Sequence, residues 1–175
     1  MRRMSIVMAV AALDTYMHRL IVERAYVHGS DELPGSLAKL EFPFDALLGW
    51  VDEAKVAARR RPHKSRPRVA LKRQLRDRLL RETFQSYANV TKALGMAGLS
   101  GNWQTIGKRF DPPLQPDEIR DRLNSIVMRR NQIVHEGDYR RLDRPRDGGL
   151  NGISVSQASA DINFLEELID AIHAV

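Results

Sequence analysis

The clearest helical signal in the chain lies in residues 116–137, which read PDEIRDRLNSIVMRRNQIVHEG. On a helical wheel of about 100° per residue, the apolar residues of this stretch gather within one arc. Asp117 is a typical N-cap residue and Gly137 a typical C-terminal stop. The pattern therefore predicts an amphipathic helix over about 118–136, the motif helix. Its apolar face is formed by Ile119, Leu123, Ile126, Val127, Ile133 and Val134.

Helical periodicity also dominates the rest of the chain. Apolar residues recur every three or four positions, and no segment shows the period of two that is typical of strands. Turns that contain glycine or proline separate the helical segments. The expected fold class is all-α, a single bundle of roughly four to five helices formed by residues 1–175. Its other helices are predicted over about 5–26, 44–59 and 69–95, with a short turn over 102–110 and a last helix from Ser154 or Ser156 almost to Val175.

Composition limits the chemistry that is available to the protein. A length of 175 residues and a hydrophobic share of 43% suit one folded domain. The chain has no cysteine, which rules out disulfides, thiolate metal sites and cysteine nucleophiles. The histidines lack metal-ligand spacing and there is no glycine-rich phosphate loop, so no metal or cofactor is expected. The first residues imitate a signal peptide, but the helical pattern continues through Leu20, so a cytoplasmic protein without membrane attachment is expected.

Positive charge is concentrated in residues 59–81. This segment holds 11 lysines and arginines and one acid, Asp77, so its net charge is +10 although the whole chain carries +6. One interpretation is a solvated helix face with an adjoining loop. The other is a surface that binds the phosphates of a nucleic acid, with RNA favoured over DNA. On the second interpretation, the candidate RNA contacts are Arg60, Arg66 and Arg73.

A polar set interrupts the motif helix. Arg130 falls in the middle of the apolar arc, where a guanidinium is costly unless it is paired or lines a wet cleft. Asn131 and His135 are four residues apart and share one flank. Arg130 and His135 lie about 140° apart on the wheel. They converge only if the arginine reaches around, if the helix end distorts, or if a second subunit completes the site.

These residue types suit metal-free cleavage of RNA. Histidine serves as general base or acid on the ribose 2′-hydroxyl or the leaving oxygen, and arginine stabilises charge on the phosphorane. Arg130 and His135 are therefore candidate catalytic residues with Asn131 in support, and Arg129 and Asp138 are candidate substrate contacts. The alternative is structural: His135 interacts with the dipole at the helix C-terminus, and Arg130 forms a buried ion pair.

Residues 128–138, MRRNQIVHEGD, resemble the signature of HEPN domains, an arginine followed after four to six residues by a histidine. Here Arg130 and His135 are the pair, and Asn131 is the polar residue that commonly follows the arginine. The wider string RRNxIVHEGD resembles the RiboL-PSP-HEPN group in particular. Three more stretches are similar to that group: residues 11–18, Asn102-Trp103 with Ile106, and residues 154–172.

The resemblance implies a homodimer in which the motifs of both protomers face one cleft. It also implies a metal-independent endoribonuclease of a toxin–antitoxin or other anti-phage system, with RNA as substrate and an antitoxin or regulatory protein as a further partner. Some HEPN domains are inactive, so the alternative is a non-catalytic module that binds a nucleotide, a nucleic acid or a partner protein.

One further pair carries two interpretations. Asp14 and His18 are four residues apart on the first predicted helix and share a face. They form either a structural hydrogen-bonded pair or an auxiliary acid that reaches the cleft.

Overall fold

A computed structural model of the chain describes residues 1–25, 33–60, 67–140 and 149–175. Within these ranges the chain forms eight helices and no β-strand, which confirms the all-α fold class. One isolated antiparallel bridge joins Tyr139 to Leu150. The helices are α1 (Arg2–Arg24), α2 (Gly35–Ala38), α3 (Phe44–Arg60), α4 (Pro67–Leu79), α5 (Tyr87–Met96), α6 (Trp103–Gly107), α7 (Pro116–His135) and α8 (Val155–His173).

Helix α1 lies at the centre of the packing. It contacts α8, α7, α5 and α4, and its inward residues recur at the spacing of a helix face. By length and composition α1 could cross a membrane, and it is alone in this among the described helices. Its apolar face, however, forms part of the protein core, where each fully buried large aliphatic side chain contributes about 1.5–3 kcal/mol. The residues of that face are Ile6, Val10, Leu13, Met17, Leu20 and Ile21.

The predicted long helix over 69–95 is wrong, because two helices occupy this stretch. Helix α4 ends at Leu79 and α5 begins at Tyr87. Between them the backbone N–H of Phe84 donates to the carboxylate of Asp14 at 2.5 Å. The Ser86 hydroxyl then caps α5 by accepting from the backbone of its first turn. A bond to a residue on α1 thus interrupts a segment whose own periodicity is helical.

His18 joins α1 to the end of α4. Its Nδ1 lies 2.8 Å from the backbone oxygen of Asp14 and its Nε2 lies 2.8 Å from that of Leu79. The ring of Phe84 meets the imidazole edge-on at 4.8 Å between centroids. Both ring nitrogens are therefore engaged with the protein, which favours the structural interpretation of Asp14 and His18 over an auxiliary acid.

The two helices around the predicted site begin at caps. Helix α8 starts after Ser154, whose hydroxyl accepts from the backbone N–H of Gln157 at 3.0 Å, so Ser154 rather than Ser156 is the cap. The expected Asp117 N-cap of the motif helix is wrong. Gln115 holds that position in a capping box with Glu118, because Pro116 already has the backbone angle of a first helical residue.

Helix α3 turns its apolar side outward. It packs against α4, while Leu47, Leu48 and Val51 on its other side remain exposed. Trp50 faces inward and its ring lies 5.2 Å from that of Phe42. The helix predicted over 44–59 is therefore present, but its exposed apolar residues Leu47, Leu48, Val51 and Val56 do not belong to the buried core.

We expect Gly107→Ala to destabilise the fold. A Cβ atom at Gly107 would lie 2.1 Å from the backbone oxygen of Leu114, and overpacking against backbone costs about 1–3 kcal/mol. Gly49→Ala in α3 is the matched control, because a Cβ there meets nothing within 4 Å and alanine favours helix by up to about 1 kcal/mol. Urea unfolding of both variants tests this, and a Gly107→Ala protein as stable as wild type would contradict it.

Candidate functional site

The motif helix is α7, and its buried face fixes its rotation. Ile119, Leu123 and Ile126 are almost fully buried in the core against α1, α5 and α6. This leaves Arg130 partly buried, while Asn131 and His135 are exposed. Helix packing therefore brings the cation to the edge of the core and the amide and imidazole to solvent.

Arg130 holds a hydrogen-bond donor that the described residues do not satisfy. Its Nη1 donates to the side-chain oxygen of Asn131 at 3.0 Å. Its Nε is buried and finds no acceptor in the described part of the chain. Leaving such a group unpaired costs about 1–3 kcal/mol or more. An acceptor from a phosphate or a second protein surface would remove this cost.

His135 is the last residue of α7 and faces solvent. Across the described ranges, no hydrogen bond or ion pair joins His135 to Arg130. The structure thus brings Arg130 and Asn131 together directly, and it presents His135 from the same helix end without a contact to either. One protomer alone therefore contains Arg130, Asn131 and His135 but does not bring all three side chains into contact within its described residues.

The chain reverses sharply after α7. Gly137 and Asp138 both adopt positive φ angles, of 61° and 62°, a conformation that glycine and aspartate tolerate better than most residues. The backbone N–H of Asp138 turns back to donate to the carbonyl of Gln132 at 3.0 Å. This turn directs the Asp138 side chain into the protein, where it is fully buried.

The Asp138 carboxylate accepts hydrogen bonds from three parts of the chain. Arg3 at the start of α1 and Arg129 on α7 both form ion pairs with it. A second Arg129 nitrogen donates at 3.0 Å, and the side-chain nitrogen of Asn151, just before α8, donates at 3.2 Å. We call these four residues the Asp138 cluster. The guanidinium of Arg3 also donates to the Asn151 carbonyl at 2.7 Å.

The cluster keeps Asp138 ionised. Burial alone would raise the pKa of this carboxyl, but hydrogen bonds from Arg3, Asn151 and Arg129 favour the charged form and leave its pKa below the usual value. Asp138 and Arg129, both predicted substrate contacts, therefore lie in a buried ion pair. Sequence reasoning missed Arg3 and Asn151, since neither carries a local signal for a partner so far away along the chain.

The arginine-rich segment contacts a different part of the bundle. Arg73 is exposed on α4, with its Nε 4.0 Å from the Asp77 carboxylate. Helix α4 packs against α1 and α3, whereas α7 packs against α1, α5 and α6, so this packing does not bring Arg73 beside the motif. Arg66 lies outside the described residues, and Arg60 ends α3 with its side chain outside that description.

The described residues also bear on metal binding. Among them, no group of three histidine, aspartate or glutamate side chains is placed to hold a metal ion. The residues that converge near the motif are arginines, amides and a carboxylate that is already paired with two cations.

Comparison with known proteins identifies the family. The family model described as RiboL-PSP-HEPN matches residues 1–175, the whole chain. This chain is a RiboL-PSP-HEPN protein. Searches of curated proteins and of solved structures find no match to it. The family assignment confirms the resemblance that residues 128–138 carry and agrees with the all-α fold.

We expect Asp138→Asn to destabilise the RiboL-PSP-HEPN fold in a pH-dependent way. Asparagine tolerates the positive φ, so the change tests the charge, and each hydrogen bond to a charged group is worth about 1.5–3 kcal/mol. Because the folded pKa of Asp138 is lowered, its stabilisation is present above the unfolded pKa of about 3.9 and is lost as pH falls further.

The measurement is urea unfolding of both proteins at pH 7 and at pH 3. The difference in the free energy of unfolding between wild type and Asp138→Asn should be large at pH 7 and smaller at pH 3. Asp121→Asn is the control, because the exposed Asp121 pairs only with its neighbour Arg120 in the described structure. If both variants lose the same unfolding free energy at pH 7, the Asp138 cluster does not stabilise the fold more than an exposed ion pair does.

Proposed function

We propose that this protein is a metal-independent endoribonuclease that acts as a homodimer. The unsatisfied Nε of Arg130 carries this proposal, because a buried arginine donor on the same helix end as an exposed histidine suits the binding of an RNA phosphate. Membership of the RiboL-PSP-HEPN family supports it, since HEPN domains are often ribonucleases.

The chemistry uses side chains of α7, the 2′-hydroxyl of the substrate as nucleophile, and water or a second copy of the chain for the remaining proton transfer. The ribose 2′-oxygen attacks the neighbouring phosphorus, the bond from phosphorus to the 5′-oxygen breaks, and a 2′,3′-cyclic phosphate and a 5′-hydroxyl result. One proton leaves the 2′-hydroxyl and one reaches the leaving 5′-oxygen; His135 makes one of these transfers, and water or the histidine of a second copy makes the other. Arg130 stabilises the negative charge of the phosphorane, and Asn131 holds the guanidinium in place through its 3.0 Å contact.

A second copy of the chain would complete the site. Arg130 and His135 do not touch within the described protomer, and a two-fold axis brings the same residues of both copies to one seam. Exposed apolar side chains belong to residues that adjoin the Asp138 cluster in the chain or lie on the last turn of α7. They include Met4, Val134, Tyr139 and Leu150. Their burial against a partner would stabilise the dimer.

The biological setting that we propose is the one that the resemblance to HEPN domains implies. An endoribonuclease of this kind fits a cytoplasmic toxin or anti-phage effector that an antitoxin or other regulatory protein holds silent. The basic residues of α4, with Arg73 among the exposed ones, would attract RNA to the protein through long-range electrostatics rather than by contact at the scissile bond.

We expect the wild-type protein to cleave RNA in EDTA and to leave DNA intact. Loss of the general base or acid in His135→Ala should lower the cleavage rate by about 10²–10⁴-fold. Loss of charge stabilisation in Arg130→Ala should lower it by about 10²–10³-fold. Gel analysis of a labelled RNA, with end-group analysis for the cyclic phosphate, measures both.

His173→Ala is the control, because His173 is also exposed near a helix C-terminus but lies on α8. It should cut RNA at the wild-type rate, and all three variants should keep the wild-type Tm within a few degrees. If wild type cuts no RNA, or if His135→Ala lowers the Tm without changing the cleavage rate, the nuclease proposal is wrong. The protein is then a non-catalytic binding module.

A mixing experiment tests whether the site is shared between protomers. If Arg130 of one protomer serves His135 of the other, a heterodimer of Arg130→Ala and His135→Ala contains one intact site. Random exchange of the two inactive proteins should then restore about a quarter of wild-type activity. Recovery of no activity, with exchange verified by mass, would show that each protomer carries its own site.

A further inference from the structure

A groove runs between α7 and the first turns of α8, on the side of α7 next to His135. Its volume is about 470 Å³, which is within the range of about 300–1,000 Å³ that is common for small-molecule sites. Gln132 lines the groove and is three residues before His135, so the two are neighbours on the helix surface. Exposed Met128 lines it one turn earlier. His135 does not itself line the groove, but the Gln132 end of the groove is next to it on the helix surface, so a strand that fills the groove can continue to the imidazole.

The groove offers hydrogen-bonding groups from both helices. Gln132 on α7 and Gln157 on α8 each present a side-chain amide, which donates and accepts. Ser125 and Ser156 add hydroxyl groups. Amides and hydroxyls of this kind recognise the edges of nucleobases, and an apolar side chain such as that of Met128 can cover a base face.

The groove also favours an anionic ligand. Arg122 is held by the Asp161 carboxylate at 2.9 Å and lies 5.9 Å from the centre of the Phe164 ring, yet 44% of its side chain stays exposed. A guanidinium has five N–H donors, so others remain for a ligand. The N-terminus of α8 opens beside Ser156 and Gln157, and its first turn contains no acid. Both features attract a phosphate.

We infer that this groove binds a nucleoside of the RNA strand next to the scissile phosphate, and that Gln132, Gln157 and Arg122 set the base preference of cleavage. The inference rests on the proposed ribonuclease function. It assigns the two flanks of α7 different tasks: Asn131 and His135 face the reacting phosphate, and Gln132 and Ser125 face the adjoining base.

The first experiment measures binding without cleavage. The probe is a random-sequence 2′-O-methyl RNA, which lacks the free nucleophile and stays intact. Ala160→Trp fills the groove from its α8 wall and should raise the Kd by about tenfold or more. Ser159→Trp adds the same ring one residue away, outside the groove lining, and should bind within about twofold of wild type.

The second experiment maps cleavage sites in a random-sequence RNA. Gln157→Ala removes the side-chain amide but keeps the backbone bond that Ser154 accepts, so α8 remains capped. It should flatten the base preference at one position beside the cut by about fivefold or more. Asn163→Ala, also exposed on α8 but outside the groove, should keep the wild-type preference.

These outcomes separate the groove from the nuclease. If wild type binds and cuts RNA, and Ala160→Trp and Gln157→Ala behave like wild type, the groove inference is overturned and the ribonuclease stands. If wild type binds the 2′-O-methyl RNA through the groove but never cuts RNA, the groove stands as a nucleotide site and the ribonuclease fails. If wild type does not bind RNA at all, both fail.

Discussion

The carboxylate of Asp138 holds the end of the motif helix in place. It is fully buried, and an isolated buried charge is strongly unfavourable, so its stability depends on the cations and amide that surround it. Arg3 brings the start of α1 to this point, and Arg129 brings α7. Because α1 also contacts α8, α5 and α4, the same carboxylate connects the motif to most of the bundle. His135, three residues before Asp138, therefore sits on an anchored helix end rather than a frayed one.

The two adjacent arginines of the motif have opposite roles for a geometric reason. Neighbouring residues on a helix point about 100° apart, so Arg129 and Arg130 cannot share one set of partners. Arg129 reaches the Asp138 carboxylate, and its charge is largely neutralised there. Among the described residues, Arg130 donates to the neutral amide of Asn131, and its buried Nε finds no acceptor. Arg129 thus contributes to the stability of the fold, and Arg130 is the arginine that our proposal assigns to a phosphate.

Local patterns and distant contacts account for what the sequence could and could not predict. Helices α1, α3, α7 and α8 follow from apolar periodicity. The wheel places Arg130 in the middle of the apolar arc of α7, whereas the structure leaves it partly buried at the edge of the core. The break between α4 and α5 does not follow from periodicity, because it depends on Asp14, 70 residues before the backbone group that it binds. The exposed apolar side of α3 and the Asp138 cluster could not be predicted for the same reason. Periodicity shows that a helix face is apolar, and a motif shows that a residue is polar. Neither shows which distant residue that face or side chain contacts.

The Asp138 cluster also bears on how an RNA phosphate could approach His135. A free carboxylate at this position would repel the phosphate, and repulsion of this kind is strong where water is excluded. Here the carboxylate faces Arg3 and Arg129, so two positive charges accompany one negative charge before Arg130 is counted. Asp161 in the neighbouring groove also pairs with an arginine, Arg122 at 2.9 Å, but there burial outweighs the pair and raises the pKa of the carboxyl. Both buried acids near α7 therefore face an arginine, and the positive charge is in excess at Asp138.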